Sequence, residues 1–237
     1  MNKANYEVRE APTPAAVVIG GCKGFPPARP VDLHRDDAGL QVRTVSETGC
    51  LAGRPANDAL RAIGRVGIIG ADAIRIAMHL LDADIPVTIF DTRRESTAQA
   101  LTVARFGYEK LVTAGQLATD MRDRRMALLT GAANFHHLKD CDLILATVSS
   151  EMPVAEKLFR RLDDLVKHGT ILVTNHTISE MAHIARFTRR PADVLGMRFS
   201  TQADPLCSFD LVRGKETSDE AFATVDALIK KIRKPGQ

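Results

Sequence analysis

Arg65-Val66-Gly67-Ile68-Ile69-Gly70-Ala71-Asp72-Ala73-Ile74-Arg75 decides the fold. Val66 to Ile69 reads as a buried strand, Gly70 as a tight turn, and residues 74–81 as an amphipathic helix. About twenty residues on, Asp91 closes a second apolar strand, Val87 to Phe90, where a dinucleotide-binding fold places the acid that accepts ribose hydroxyls. The frame is G-x-G-x-x-G, but only its first glycine, Gly70, stands; Asp72 and Arg75 occupy the second and third places.

Each place has a physical task. The first glycine makes the turn, the second lets the backbone approach a pyrophosphate, and the third lets helix pack on strand. Asp72 sets a carboxylate where phosphate would approach. Asp is also a preferred N-cap, so Asp72 is expected to cap the helix and Arg75 to neutralise it, filling the anion site from within. The bland alternative is an ordinary cap and a solvated charge. Asp91 likewise reads either as a ribose acid or as a solvated strand end.

Outward from this turn, strands and helices alternate. Strands are expected at 87–90, 126–130, 143–148, 171–174, 193–199 and 208–212, with a long helix through 111, another near 158–166 and a closing one at 218–232. Such alternation predicts an α/β, Rossmann-like, doubly wound and mostly parallel sheet covered on both faces. Residues 1–62 differ: six prolines and Gly20-Gly21 interrupt them, and only 16–19 and 40–45 suggest strands. The expected division is a partly irregular N-terminal extension, 1–62, and a Rossmann-like domain, 63–237, with the extension covering a sheet edge or a partner.

Composition narrows the function classes. The 237 residues are 45% apolar, and 32 basic against 29 acidic residues leave a net charge of +3 without basic–aromatic clusters, so no nucleic-acid partner is expected. No apolar run reaches membrane length, and Met1 to Ala15 lacks a signal peptide's apolar region, so a cytoplasmic protein without membrane attachment is expected. Cys22, Cys50, Cys141 and Cys207 are widely spaced, which suits reduced thiols. His136, His137 and Cys141 form the one ligand-like cluster, but adjacent histidines on a short turn diverge, and no metal is expected.

Ordered motifs carry a family resemblance: FGYEKLVTAGQL (106–117), LKDCDLIL (138–145), KLFRRL (157–162), ILVTN (171–175), TRRPADVLGMRF (188–199) and DLVRGKETSDEAF (210–222). From about residue 65 to 237 the chain resembles the NAD-binding domain of 3-hydroxyacyl-CoA dehydrogenases. The resemblance implies NAD, held through Gly70 and Asp91, and an acyl-CoA substrate. It also implies a catalytic His in G-x-H-F-F-N-P, but Gly196-Met197-Arg198-Phe199 carries Arg198 there, opposite an acid position at Asp210. A guanidinium stays charged and accepts no proton, so an Arg198–Asp210 ion pair is expected in place of the catalytic pair.

Other family positions change too. Two glutamates fall on Ala146 and Ser150, a lysine on Ala155, and the Asn of the His loop on Thr201. In Asn175-His176-Thr177, Thr177 replaces a serine that helps hold the substrate oxygen, a role its hydroxyl can still fill, and His176 could serve as a substitute base. The family's helical C-terminal domain, with P-G-F-x-x-N-R, is not in this sequence.

Three functions follow as expectations. The first is a dehydrogenase-like pseudoenzyme acting as a structural, regulatory or complex-forming subunit, homo-oligomeric or bound to another subunit. The second is an NAD-dependent oxidoreductase on a 3-hydroxyacyl-CoA or related hydroxy acid, using His176 and Thr177. The third is a binding module for acyl-CoA or another small anionic ligand, with Arg198 and Arg75 as its positive groups.

Overall fold

In a computed structural model the described residues are 42–43, 60–147, 151–176, 178–199 and 209–233. Eight strands form one sheet: β1 (Val42–Arg43), β2 (Val66–Ile69), β3 (Val87–Phe90), β4 (Leu129–Ala132), β5 (Leu143–Ala146), β6 (Ile171–Thr174), β7 (Val194–Phe199) and β8 (Phe209–Val212). Their order is β1-β8-β7-β6-β5-β2-β3-β4. The six strands from β4 to β7 are parallel, β8 runs antiparallel to β7, and β1 antiparallel to β8. This is the doubly wound order, reversing between β2 and β5.

The helices are α1 (Ile74–Asp82), α2 (Arg94–Thr113), α3 (Thr119–Ala127), α4 (Met152–Leu165), α5 (Ile178–Ala185) and α6 (Asp219–Arg233). Strand alternation sorts them into two layers. Ile68, Leu145 and Val173 pack with Leu80 of α1, Tyr108 of α2 and Val225 of α6, whereas Ile69, Ile144 and Leu172 pack with Phe159 of α4 and Ile184 of α5. Each such fully buried aliphatic side chain contributes about 1.5–3 kcal/mol. A Cβ at Gly67 would meet Ile144 Cδ1 at 2.5 Å and Leu138 Cδ2 at 2.9 Å, so glycine lets the second layer close on β2.

The structure corrects two boundaries and adds one helix. The strand expected at 126–130 is the end of α3 followed by β4, because Met126 and Leu128 complete a helical turn before the chain extends. The expected helix 158–166 begins earlier, at Met152, with a proline in its first turn. Helix α5, which follows β6, was not expected. The segment 40–45 supplies β1, pairing Val42 with Val212 and Arg43 with Leu211; 16–19 lies outside the described residues.

The motifs behind the resemblance are largely scaffold. Tyr108 donates from its buried hydroxyl to Met78 O and Asp82 Oδ1, joining α2 to α1. Asp142 accepts the amides of Gly64 and Arg65 and pairs with Lys167 at 2.6 Å; burial opposes its charge, but these partners hold its carboxyl below the usual range. Buried Asp163 accepts from Arg189 and Arg190 side chains at 2.7 and 2.8 Å, tying α4 to the lead into β7. Arg61 Nη1 meets Asp193 at 2.6 Å and its Nε meets Glu220 at 3.1 Å, fastening the entry to β2 against α6.

Candidate functional site

Parallel doubly wound sheets present their ligand crevice at the strands' carboxyl ends, where the order reverses. Here that crevice lies between the loops after β2 and β5. Gly70 begins the first loop at φ 108°, which glycine alone adopts readily, and a short 3-10 turn, Ala71–Ala73, leads into α1. A Cβ at Gly70 would meet Thr147 O at 2.5 Å and Asp72 Oδ1 at 2.9 Å, besides striking the Thr147 hydroxyl.

Asp72 does not cap the helix. Neither the 3-10 turn nor α1 has a side-chain cap hydrogen bond; Asp72 Oδ1 instead accepts from Thr147 Oγ1 at 2.8 Å, a hydroxyl also 2.9 Å from Ile69 O. Arg75 is exposed and makes no ion pair with Asp72. The expected self-neutralised cap is therefore a carboxylate tethered across the crevice, because the β5 loop offers a donor that no neighbour in sequence provides.

Asp91 faces the other half. Its Oδ2 accepts from the Ala71 amide at 3.1 Å and its Oδ1 from the Arg93 amide at 2.9 Å, so the β2 and β3 loops are joined through the expected ribose acid. Each carboxylate oxygen keeps a second lone-pair direction for a hydroxyl donor.

At the end of β6, His176 is 4% exposed; its Nδ1 is 2.6 Å from Thr174 Oγ1 and, among the described residues, its Nε2 has no hydrogen-bond partner. Thr177, Ser150 and Thr201 lie outside the described residues. Ala146 and Ala155 are fully buried core residues, so the family's charged positions there are filled by packing. Arg198 stands opposite Asp210 in the β7–β8 register. His136 and His137 are exposed while Cys141 is buried, and among the described residues no three His, Cys, Asp or Glu side chains converge as a metal site. No described helix is long and apolar enough to cross a membrane.

For a bound dinucleotide the two halves differ. Gly70 and Asp91 fit the adenosine side. The Asp72 carboxylate on Thr147 does not fit a pyrophosphate crossing from β2 toward β5, since it brings like charge and side-chain bulk where backbone amides should face the phosphates. Sequence reasoning found Asp72 but not Thr147, whose only local signal is its place just past a buried strand.

Fold and crevice together define a doubly wound, dinucleotide-binding type of α/β protein. Residues 62–236 match the family model described as 3-hydroxyacyl-CoA dehydrogenase, NAD binding domain, and the chain belongs to that family. It is 34% identical over 125 residues to a 3-hydroxybutyryl-CoA dehydrogenase of Clostridioides difficile, covering 53% of this chain and 44% of that protein. It is 29% identical over 168 residues to a 3-hydroxybutyryl-CoA dehydrogenase of Mycobacterium tuberculosis, covering 70% and 59%. The chain thus spans less than two thirds of these relatives. The crystal structure of M. tuberculosis FadB2 superposes with a TM-score of 0.67 at 27% identity, covering 73% of this chain and 61% of that one.

Proposed function

We propose that this chain is a 3-hydroxyacyl-CoA dehydrogenase-like subunit that has lost the family's hydride-transfer activity and serves a structural, regulatory or complex-forming role. The Asp72–Thr147 hydrogen bond carries this reading, because it sets a fixed negative charge in the path of a dinucleotide's phosphates. Arg198 on β7, at the position of the catalytic base, supports it independently, since a guanidinium holds its proton throughout the working pH range. Apolar side chains left in water on α2 support association with a second copy or another subunit: Val103 is 52% exposed and Phe106, one turn on, is 60% exposed. The test is calorimetric titration with NADH alongside an assay of acetoacetyl-CoA reduction. Weak or undetectable binding and no turnover are expected; tight stoichiometric NADH binding with turnover overturns the proposal.

One observation favours a second reading, an oxidoreductase acting on a 3-hydroxyacyl-CoA or related hydroxy acid. The unpartnered Nε2 of buried His176 lies on the segment that follows β6, at the carboxyl end of the sheet, and a neutral imidazole with Nδ1–H donated to Thr174 would present a lone pair there. On this reading His176→Gln abolishes whatever turnover the wild-type chain shows. Unchanged turnover removes His176 from the chemistry.

A further inference from the structure

Among the described residues the exposed large apolar side chains are Leu60, Val103, Phe106 and Val154, and only Val103 and Phe106 share a helix. That helix is α2, whose inner side is set by buried Thr97, Ala100, Ala104 and Tyr108. At 3.6 residues per turn, Glu95, Gln99, Thr102, Phe106 and Lys110 fall along the opposite side, with Val103 next to Phe106, and all six are exposed. The apolar pair thus stands in the middle of a stripe that begins with an acid and ends with a base.

This stripe is self-complementary. Glu95 and Lys110 lie about 22 Å apart along the axis, at 1.5 Å per residue. Neither is in an ion pair among the described residues; the Lys110 ammonium rests 4.5 Å over the Phe106 ring. The other charges of α2 lie aside, since Glu109 is held by Arg122 at 2.8 Å and Arg94 and Arg105 fall roughly a quarter to a third of a turn off the stripe. A second α2 laid antiparallel about a two-fold axis beside Thr102 and Val103 brings Lys110 of each copy to Glu95 of the other, because both stand equally far from that axis. The same operation seats each Phe106 ring between Gln99 and Val103 of the other copy. Parallel pairing would set like charges together. An unrelated partner requires nothing of how the two charges are spaced about the apolar pair, whereas a two-fold does.

We infer that the outer face of α2 is a dimerisation surface whose occupant is α2 of a second copy of this chain, antiparallel, with Phe106 and Val103 at the centre and a Glu95–Lys110 pair at each end. This pairing rests on the complex-forming role proposed above and names its partner. It involves neither NADH nor acyl-CoA, so the two can fail separately.

The test is sedimentation velocity of the full chain from about 1 to 100 μM, with circular dichroism to establish that each variant is folded. Wild type is expected to dimerise with a Kd of about 1–100 μM, since a single helix pair falls below the standard interface size. Phe106→Ser should abolish the dimer. E95K and K110E, each turning both symmetry-related pairs repulsive, should weaken it about tenfold, and E95K/K110E should restore it. The helix field alone predicts the reverse, because the double exchange sets both charges at their unfavourable ends. A monomer at every concentration, single exchanges without effect, or a double exchange no stronger than the single ones overturns the inference. A dimer that survives Phe106→Ser also overturns it, while leaving the complex-forming role standing with its contact elsewhere.

Discussion

The Asp72 carboxylate and the Thr147 hydroxyl, 75 residues apart in sequence, lie 2.8 Å from each other across the point where the strand order reverses. The loops after β2 and β5 are thereby latched together at the place a doubly wound sheet ordinarily keeps open for its ligand.

Removing the latch should reopen the site. Asp72→Gly, alone or with Arg75→Gly, is expected to raise NADH affinity by tenfold or more, since relieving one like-charge contact near phosphate is worth about 1–4 kcal/mol. Calorimetry on both variants checks this, and unchanged affinity would mean that the crevice was lost for a different reason.

Gly70 should tolerate no side chain. Gly70→Ala forces an L-residue to φ 108° and drives its Cβ into Thr147, so a loss of about 2–3 kcal/mol is expected. Thermal denaturation should show a fall of roughly 5–10 °C for a chain of this length.

Asp163 should make stability depend on pH. Burial opposes its ionisation, but Arg189 and Arg190 more than compensate and hold the folded-state pKa below the unfolded one. The stabilisation is therefore complete above about pH 4, the unfolded value, and disappears as pH falls through the depressed folded value. Asp163→Asn is expected to cost about 2–3 kcal/mol near neutral pH, with the gap from wild type closing in acid. Urea denaturation at a series of pH values measures both; a gap independent of pH would sink the assignment.

Cys141 should be chemically silent. Burial pushes its thiol up to about 11, against the influence of nearby Arg65, so little thiolate forms at about pH 8. Peptide mapping after iodoacetamide treatment should find Cys141 unmodified in the native chain and labelled in denaturant.

The sheet was legible because its strands announce themselves locally. Runs of apolar or glycine residues at Val66–Ile69, Leu143–Ala146 and Ile171–Val173 read as buried on both faces, and the helices between them favour parallel pairing. The boundary at 126–130 was misread because Met126 and Leu128 are apolar in either periodicity, and only packing against α2 and β4 separates the helix end from the strand. At the site, Gly70 and Asp91 were legible from spacing, and both stand where spacing put them. Asp72 was legible as a substitution but not as a latch.

What the sequence determined by itself was the alternation of strands and helices that makes a doubly wound, mostly parallel sheet, and the residues that replace the dinucleotide motif, since these follow from periodicity and spacing along the chain; the family followed from the resemblance of its ordered motifs. What only the tertiary structure decided was where Asp72 sends its carboxylate, how Asp91 joins two loops, and that Nε2 of His176 is buried without a partner among the described residues. A hydrogen bond depends on which donor folding brings within about 3 Å, and sequence distance carries no record of that.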